Sequence, residues 1–291
     1  MTDSVRRFLF ESLDIRGAFV QMDQSWRQMQ AGRDYPTPVC GLLGELAAVT
    51  ALIAAQLKQP GRITLQLRGA GPIRLLVVDC DDELRLRGMA HCPEVVLPDS
   101  APFLLGAGQG GQLMMSLDLP TAQQPYQSFV PLVGQTIAEI FQHFLEQSEQ
   151  QPSRLFLAAT EEGAACLFLQ KLPDADHRDP DGWTRLCHLA STVKPLELLA
   201  LDAKTLLNRL FHEDMGDSFR LYDPVPVSYH CPEDWEKVRR VIRSLGRDEA
   251  EALVRERGSI VLRDDLCNRE YRFGPEEVAA LFDPGETPTL H

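Results

Sequence analysis

Apolar and polar residues alternate at Ile63, Leu65 and Leu67 against Thr64, Gln66 and Arg68, the period of two expected of a half-buried strand. The Gly69-Ala70-Gly71-Pro72 turn leads to a second apolar run at 73–78. Alternation returns at 84–88 and again at Leu113, Met115, Leu117 and Leu119. Successive strands divided by Gly or Asp turns predict an antiparallel meander. The period then lengthens: Val133, Ile137, Ile140, Phe141, Phe144 and Leu145 fall on one face of a long amphipathic helix. A hairpin follows, with strands at 155–159 and 165–169 about a Glu161-Glu162-Gly163 turn. The segment 39–57 is almost wholly apolar, with Glu45, Thr50 and Gln56 as its polar positions. Its length approaches a bilayer span, but a carboxylate near the middle is costly in lipid. It reads as a buried core helix, and no transmembrane segment is expected.

Residues 173–182 are charged and turn-rich, as a linker would be. Helical spacing resumes at Trp183 and over 195–211, where Leu196, Leu199, Leu206, Leu207 and Leu210 form an apolar stripe. Such a stripe either packs against the first domain or acts as a removable cover over a binding surface. From position 229 the pattern changes again. Trp235, Val238, Ile242 and Leu245 mark a helix stopped in the left-handed region at Gly246, and 247–257 a second one closed by Gly258. A strand at 259–263, a knuckle and returning strand at 267–273, and a helix opened by Pro275 complete the chain. The expected class is α+β. An N-terminal domain at 1–172, with a mainly antiparallel sheet packed by helices, is joined by a helical linker at 173–228 to a small α+β domain at 229–291. Units as small as the last often need a metal, a disulfide or docking to stay folded.

Composition narrows the function. The 291 residues are 44% hydrophobic, ample for a core, and 29 basic against 42 acidic side chains give a net charge of −13. That balance argues against nucleic acid and anionic membrane as partners. The start, Met1-Thr2-Asp3-Ser4-Val5-Arg6-Arg7, lacks the apolar core of a signal peptide. Seven cysteines, odd in number and sparsely spaced, suit a reducing cytoplasm. Cys40, Cys80, Cys92, Cys166 and Cys187 mostly sit in apolar runs and read as small buried hydrophobes. No nucleotide-binding glycine loop, Ser-His-Asp set or nucleophile elbow occurs, and His212-Glu213-Asp214 lacks the two histidines of a zinc hydrolase. Enzyme activity is not expected. A thiol oxidoreductase in particular would need a Cys-x-x-Cys, which is missing. His-Cys-Pro-Glu occurs at 91–94 and 230–233, too short a match to count as a repeat.

The candidate chemistry lies at Cys231-Pro232-Glu233 and Asp264-Asp265-Leu266-Cys267. A Cys-x-Cys followed some thirty residues later by a Cys-x-x-Cys would offer four soft ligands to tetrahedral zinc. Here the outer two thiols stand in place, and Glu233 and Asp264 hold the inner positions. This pattern resembles the C-terminal domain of the Hsp33 family of redox-regulated chaperones. The likeness extends over nearly the whole chain: Arg7-Phe8-Leu9-Phe10-Glu11 with Asp14-Ile15-Arg16-Gly17, then Leu42-Leu43-Gly44-Glu45, Gly69-Ala70-Gly71-Pro72 and Tyr126-Gln127-Ser128. Leu132-Val133-Gly134, Ser148-Glu149-Gln150, Leu210-Phe211-His212-Glu213, Leu245-Gly246-Arg247 and Tyr271-Arg272-Phe273 follow in order.

The resemblance implies an ATP-independent holdase that binds unfolding clients under heat or oxidative stress, with a zinc-ribbon-like C-terminal domain and a homodimer allowed. It also implies a switch in which four thiolates hold zinc in the inactive form. Two near-neighbour disulfides then release the metal and unfold the small domain and linker. This chain departs from that scheme, because each near-neighbour pair has lost a member. A Cys231–Cys267 cross-link is the disulfide left to these motifs, and a loop of that length adds roughly 3–4 kcal/mol. Oxidation would then staple the domain where the family scheme has it unfold. The residues leave three arrangements open. Cys231, Cys267, Glu233 and Asp264 form a harder, weaker zinc set, with His230 as a further imidazole. Alternatively, Cys231 and Cys267 act as a disulfide switch. In the third, a Trp-anchored core holds the unit without either, and Glu233 and Asp234 stabilise a helix start. The expected function is a chaperone whose redox gate is weakened or lost, with control passing to temperature. The rival is an interaction protein on the same scaffold that binds one specific folded partner. Met114, Met115 and the linker helix are the candidates for the client surface.

Overall fold

The apolar segment read as a core helix is α2 (Thr37–Ala54), and it is buried because it packs between two sheets. Of the helices described, it alone has the length and apolarity to cross a membrane, and its apolar faces are spent on protein. The computed structural model describes residues 3–69, 71–93 and 100–282. Ala70 of the predicted turn and Glu94 of the first His-Cys-Pro-Glu lie outside the described residues. The chain forms two compact units, 1–230 and 231–291.

In the first unit, β1 (Ser4–Phe10) and β2 (Ile15–Met22) make a hairpin, followed by α1 (Gln24–Gln30) and α2. Next come β3 (Arg62–Arg68), β4 (Leu75–Asp81) and β5 (Arg85–His91), the expected meander. After α3 (Ala101–Leu104), β6 (Gln112–Asp118) pairs back onto β3, and β7 (Tyr126–Val130) onto β6. The amphipathic α4 (Ile137–Glu149) leads into the hairpin of β8 (Ser153–Ala159) and β9 (Ala164–Lys171). Val133, expected on α4, precedes it and is exposed. Gly134 with φ of +131° breaks the chain there, and the Thr136 side chain accepts from the Glu139 N–H to start the helix.

The segment 173–228 is woven into this unit. It begins with α5 (Ala175–Arg178), where the sequence suggested only a turn-rich linker, and continues with α6 (Gly182–Ser191), α7 (Pro195–Ala200) and α8 (Ala203–Phe211). Then β10 (Phe219–Leu221) and β11 (Val225–Pro226) pair with β1, and β12 (Ser228–Tyr229) runs parallel to β5. Among the described residues the strands form two six-stranded sheets, where one was expected. The first runs β10-β1-β2-β9-β8 with β11 also on β1; the second runs β12-β5-β4-β3-β6-β7. Gly17 faces Phe8 across β1 and β2, and the Phe8 ring fills the space a β-carbon would need.

The second unit has α9 (Trp235–Leu245), α10 (Arg247–Arg257), the hairpin β13 (Ile260–Asp264) and β14 (Arg269–Phe273), and α11 (Pro275–Phe282). Its core gathers Val238, Ile242, Val254, Ile260, Tyr271 and Phe273. Gly246 has φ of +87° but an extended ψ of 156°, so it joins α9 to α10 and does not form the left-handed stop expected of it. Gly258 is left-handed, as expected.

Candidate functional site

The β13–β14 turn places Cys267, and the lead into α9 places Cys231. Asp264 ends β13, and its Oδ1 accepts the Leu266 N–H at 3.0 Å. Asn268 closes the turn in the left-handed region at φ of +51°, with its Oδ1 accepting from Arg263 at 2.9 Å. On the other side, Asp234 caps α9 by accepting the Lys237 N–H at 2.9 Å. Tyr271 draws the two segments together: its hydroxyl accepts the Asp234 N–H at 3.2 Å, and its ring meets Trp235 edge-on at 4.8 Å. Arg269 adds a bond from Nη2 to the Cys231 carbonyl at 3.3 Å. Cys231 and Cys267 thereby come together, sulfur to sulfur, with Cα atoms 5.7 Å apart and a sequence separation of 36. That separation is in the range of protein disulfides.

The two carboxylates face elsewhere. Glu233 accepts the Trp235 indole N–H at 2.7 Å through Oε2 and pairs with Arg269 at 3.4 Å through Oε1. Asp264 is engaged within its own turn. Sequence reasoning missed Arg269 and, although it quoted Tyr271-Arg272-Phe273, gave Tyr271 no part in drawing the two segments together; a basic residue on the strand after Cys267 was a legible signal. In the arrangement with a Trp-anchored core, Trp235 would be the buried aromatic; instead Tyr271 and Phe273 are buried, and Trp235 meets both edge-on, 38% exposed.

The other five thiols sit in the first unit, and burial pushes each upward from its ordinary pKa: Cys40 and Cys187 to about 11, and Cys80, Cys92 and Cys166 in the same direction. None has the low-pKa setting of a thiol catalyst.

A second feature is the helical cover on the first sheet. One face of that sheet meets α2; the other presents Phe8, Phe10, Ile15, Phe19, Leu167 and Leu169. Onto this apolar face fold α6, α7 and α8 through Leu186, Leu198, Leu206, Leu207, Leu210 and Phe211. Phe211 is fully buried and meets Phe10 edge-on at 5.5 Å. The predicted stripe shifts, because the helix breaks at Leu201 and restarts at Asp202. Leu198 is the buried member of α7, and Leu196 is 75% exposed.

Polar ties also hold the cover. Asp202 caps α8 through the Lys204 and Thr205 N–H groups, and bonds from Thr205 hold its carboxyl below the usual range. The Gln21 amide donates to the Leu199 and Leu201 carbonyls at 2.9 and 3.2 Å. Arg185 ties α6 to Asp214 at 2.7 Å, and Arg209 ties α8 to Glu197 at 2.9 Å.

Compared with known proteins, residues 3–274 match the family model described as Hsp33 protein. The chain belongs to the Hsp33 family. It is 38% identical over 284 residues to the 33 kDa chaperonin of Methylobacillus flagellatus, covering 97% of this chain and 95% of that protein. The corresponding protein of Shewanella baltica is 38% identical over 287 residues, covering 99% and 98%. The crystal structure of the Hsp33 homologue from Thermotoga maritima shares the fold, with a TM-score of 0.76 over 96% of this chain and 97% of that one at 24% identity. A heat-shock chaperone on an α+β scaffold is thus the function of the family to which the chain belongs.

A family zinc would need four converging donors. Among the described residues, no three His, Cys, Asp or Glu side chains converge. The Cys231 and Cys267 sulfurs face each other, and the Glu233 and Asp264 carboxylates are held away from them by Trp235, Arg269 and the Leu266 amide. The residues present do not fit a tetrahedral zinc centre.

Proposed function

We propose that this chain is an ATP-independent holdase. It binds unfolding proteins in the cytoplasm under heat or oxidative stress and keeps them from aggregating, with no nucleotide and no catalytic turnover. The observation that carries this reading is the removable cover. An apolar sheet face is masked by three short helices from one stretch of chain, each too short to be stable alone. Releasing them presents Phe8, Phe10, Phe19 and their neighbours to clients. The acidic net charge suits a protein that stays dispersed and binds neither nucleic acid nor membrane. A homodimer remains compatible with the scaffold.

Redox control of the family type is lost in this reading, since neither near-neighbour disulfide can form and no zinc is held. In its place, a peroxide takes one electron pair from two thiols: Cys231 and Cys267 form one S–S bond while hydrogen peroxide is reduced to two waters. The product closes a 36-residue loop in the small unit. Oxidation therefore tightens that unit, and temperature, acting on the cover, is the trigger.

Light scattering of a heat-unfolding client mixed with the fully reduced protein tests this. Suppressed aggregation is the expected outcome. Suppression only after peroxide would refute the lost gate, and none in either state would refute the holdase.

A further inference from the structure

Charged residues make up 24% of the chain, yet residues 100–138 contain one, Asp118. This uncharged stretch builds β6, β7 and their connections. Among the described residues, β7 pairs with β6 alone, so its other edge is an open row of backbone donors and acceptors. Pro125 and Pro131 flank the strand and keep it extended, but no charge lies within it to repel an incoming strand. Tyr126 and Phe129, from opposite faces of β7, are 64% and 62% exposed. Phe129 stands opposite Met114; the one charge on β6, Asp118, lies at its end beyond the Leu117–Tyr126 pair, and Arg62 and Arg68 stand at the two ends of β3.

We infer that the open edge of β7 is a second place where clients dock, beside the sheet face under the cover, by adding an extended, uncharged apolar segment of an unfolding polypeptide as a further strand. This deepens the holdase reading and rests on it. The occupant follows from two properties of the edge. Unpaired backbone groups hydrogen-bond a strand whatever its sequence, while Tyr126 on one face and Phe129 with Met114 on the other receive alternate apolar side chains. Charge complementarity selects the same partner. On a chain of net charge −13, an apolar segment reaches this edge past a single neighbouring charge, Asp118 at the end of β6, so little water is stripped from charges. A charged rim would favour one class of client, and its absence suits broad capture.

The test uses the full chain and labelled, carboxymethylated α-lactalbumin, which stays unfolded, followed by fluorescence anisotropy. Tyr126→Glu/Phe129→Glu should weaken binding at least tenfold with thermal unfolding unchanged, because both side chains already stand mostly in solvent. The matched control Tyr222→Glu/Val241→Glu, which puts two charges on other exposed apolar residues, should bind as wild type. A photo-crosslinker at Gln127 should capture α-lactalbumin, a readout that does not depend on how the double variant folds. Unchanged binding by the edge variant, or equal loss in the control, overturns the inference. A wild-type protein that binds no unfolded chain sinks the holdase reading itself. Loss of a dimer with binding intact would assign the edge to a second copy and overturn the inference.

Discussion

Replacing Cys267 by Ser separates a stapled small unit from one held by its core alone. Chain entropy gives the 36-residue loop closed by Cys231 and Cys267 about 4 kcal/mol. Opposing unfolding is a small core, in which eight apolar residues are buried among the described ones. A core in a unit of about sixty residues supplies roughly 3–5 kcal/mol. Losing the cross-link therefore removes a share as large as the remaining stability, and local opening should become frequent. At about 1.4 kcal/mol per tenfold, amide exchange in β13 and β14 should quicken by a few hundredfold. The assay is hydrogen exchange on the full-length chain, wild type oxidised, wild type reduced and Cys267→Ser, with amides of α2 and β3 as internal reference. Reduced wild type should match the variant. Indistinguishable exchange in the oxidised and reduced forms would refute the staple, and faster exchange on oxidation would restore a family-type response.

Other predictions address the cover and the remaining thiols. Phe211→Ala truncates a fully buried ring and should cost about 3–5 kcal/mol. If α8 is part of the cover, client capture should then begin at a lower temperature; an unchanged onset in a destabilised variant would count against the cover. Asp202→Ala should cost about 1 kcal/mol through the lost α8 cap, measured as a shift in urea midpoint. Because bonds from Thr205 depress the Asp202 carboxyl, its contribution is complete above the ordinary carboxylate range and lost as pH falls through the depressed value. The wild-type advantage over Asp202→Ala should therefore shrink in acid, and a constant difference would exclude the charge. Brief alkylation of reduced protein at neutral pH should label the half-buried Cys267 ahead of the buried Cys40, whose thiol burial raises to about 11. Mass spectrometry showing Cys40 labelled first would contradict that order.

Local pattern alone made much of this protein legible. The alternation of β3 to β6, the β8–β9 hairpin, the face of α4 and the succession α9, α10, β13, β14 and α11 depend on neighbours a few residues away, and that is what periodicity records. The chemistry of the site was equally readable, since Glu233 and Asp264 in place of thiols are facts of sequence. The strands that escaped notice take partners from far along the chain. Ser4–Phe10, with two arginines interrupting its apolar residues, becomes a strand between β2 and β10, and Ser228–Tyr229 becomes one only beside β5. The single helix expected over 195–211 splits because Gln21, nearly two hundred residues away, binds the carbonyls around the break while Asp202 caps a new start. Only the tertiary structure brought Cys231 to Cys267, through Tyr271 and Arg269, and turned both carboxylates aside. It alone left β7 with an open edge. Whether a strand is central or terminal, and whether a leucine is a core residue or a cover, depends on what the rest of the chain brings against it, which no window of sequence contains.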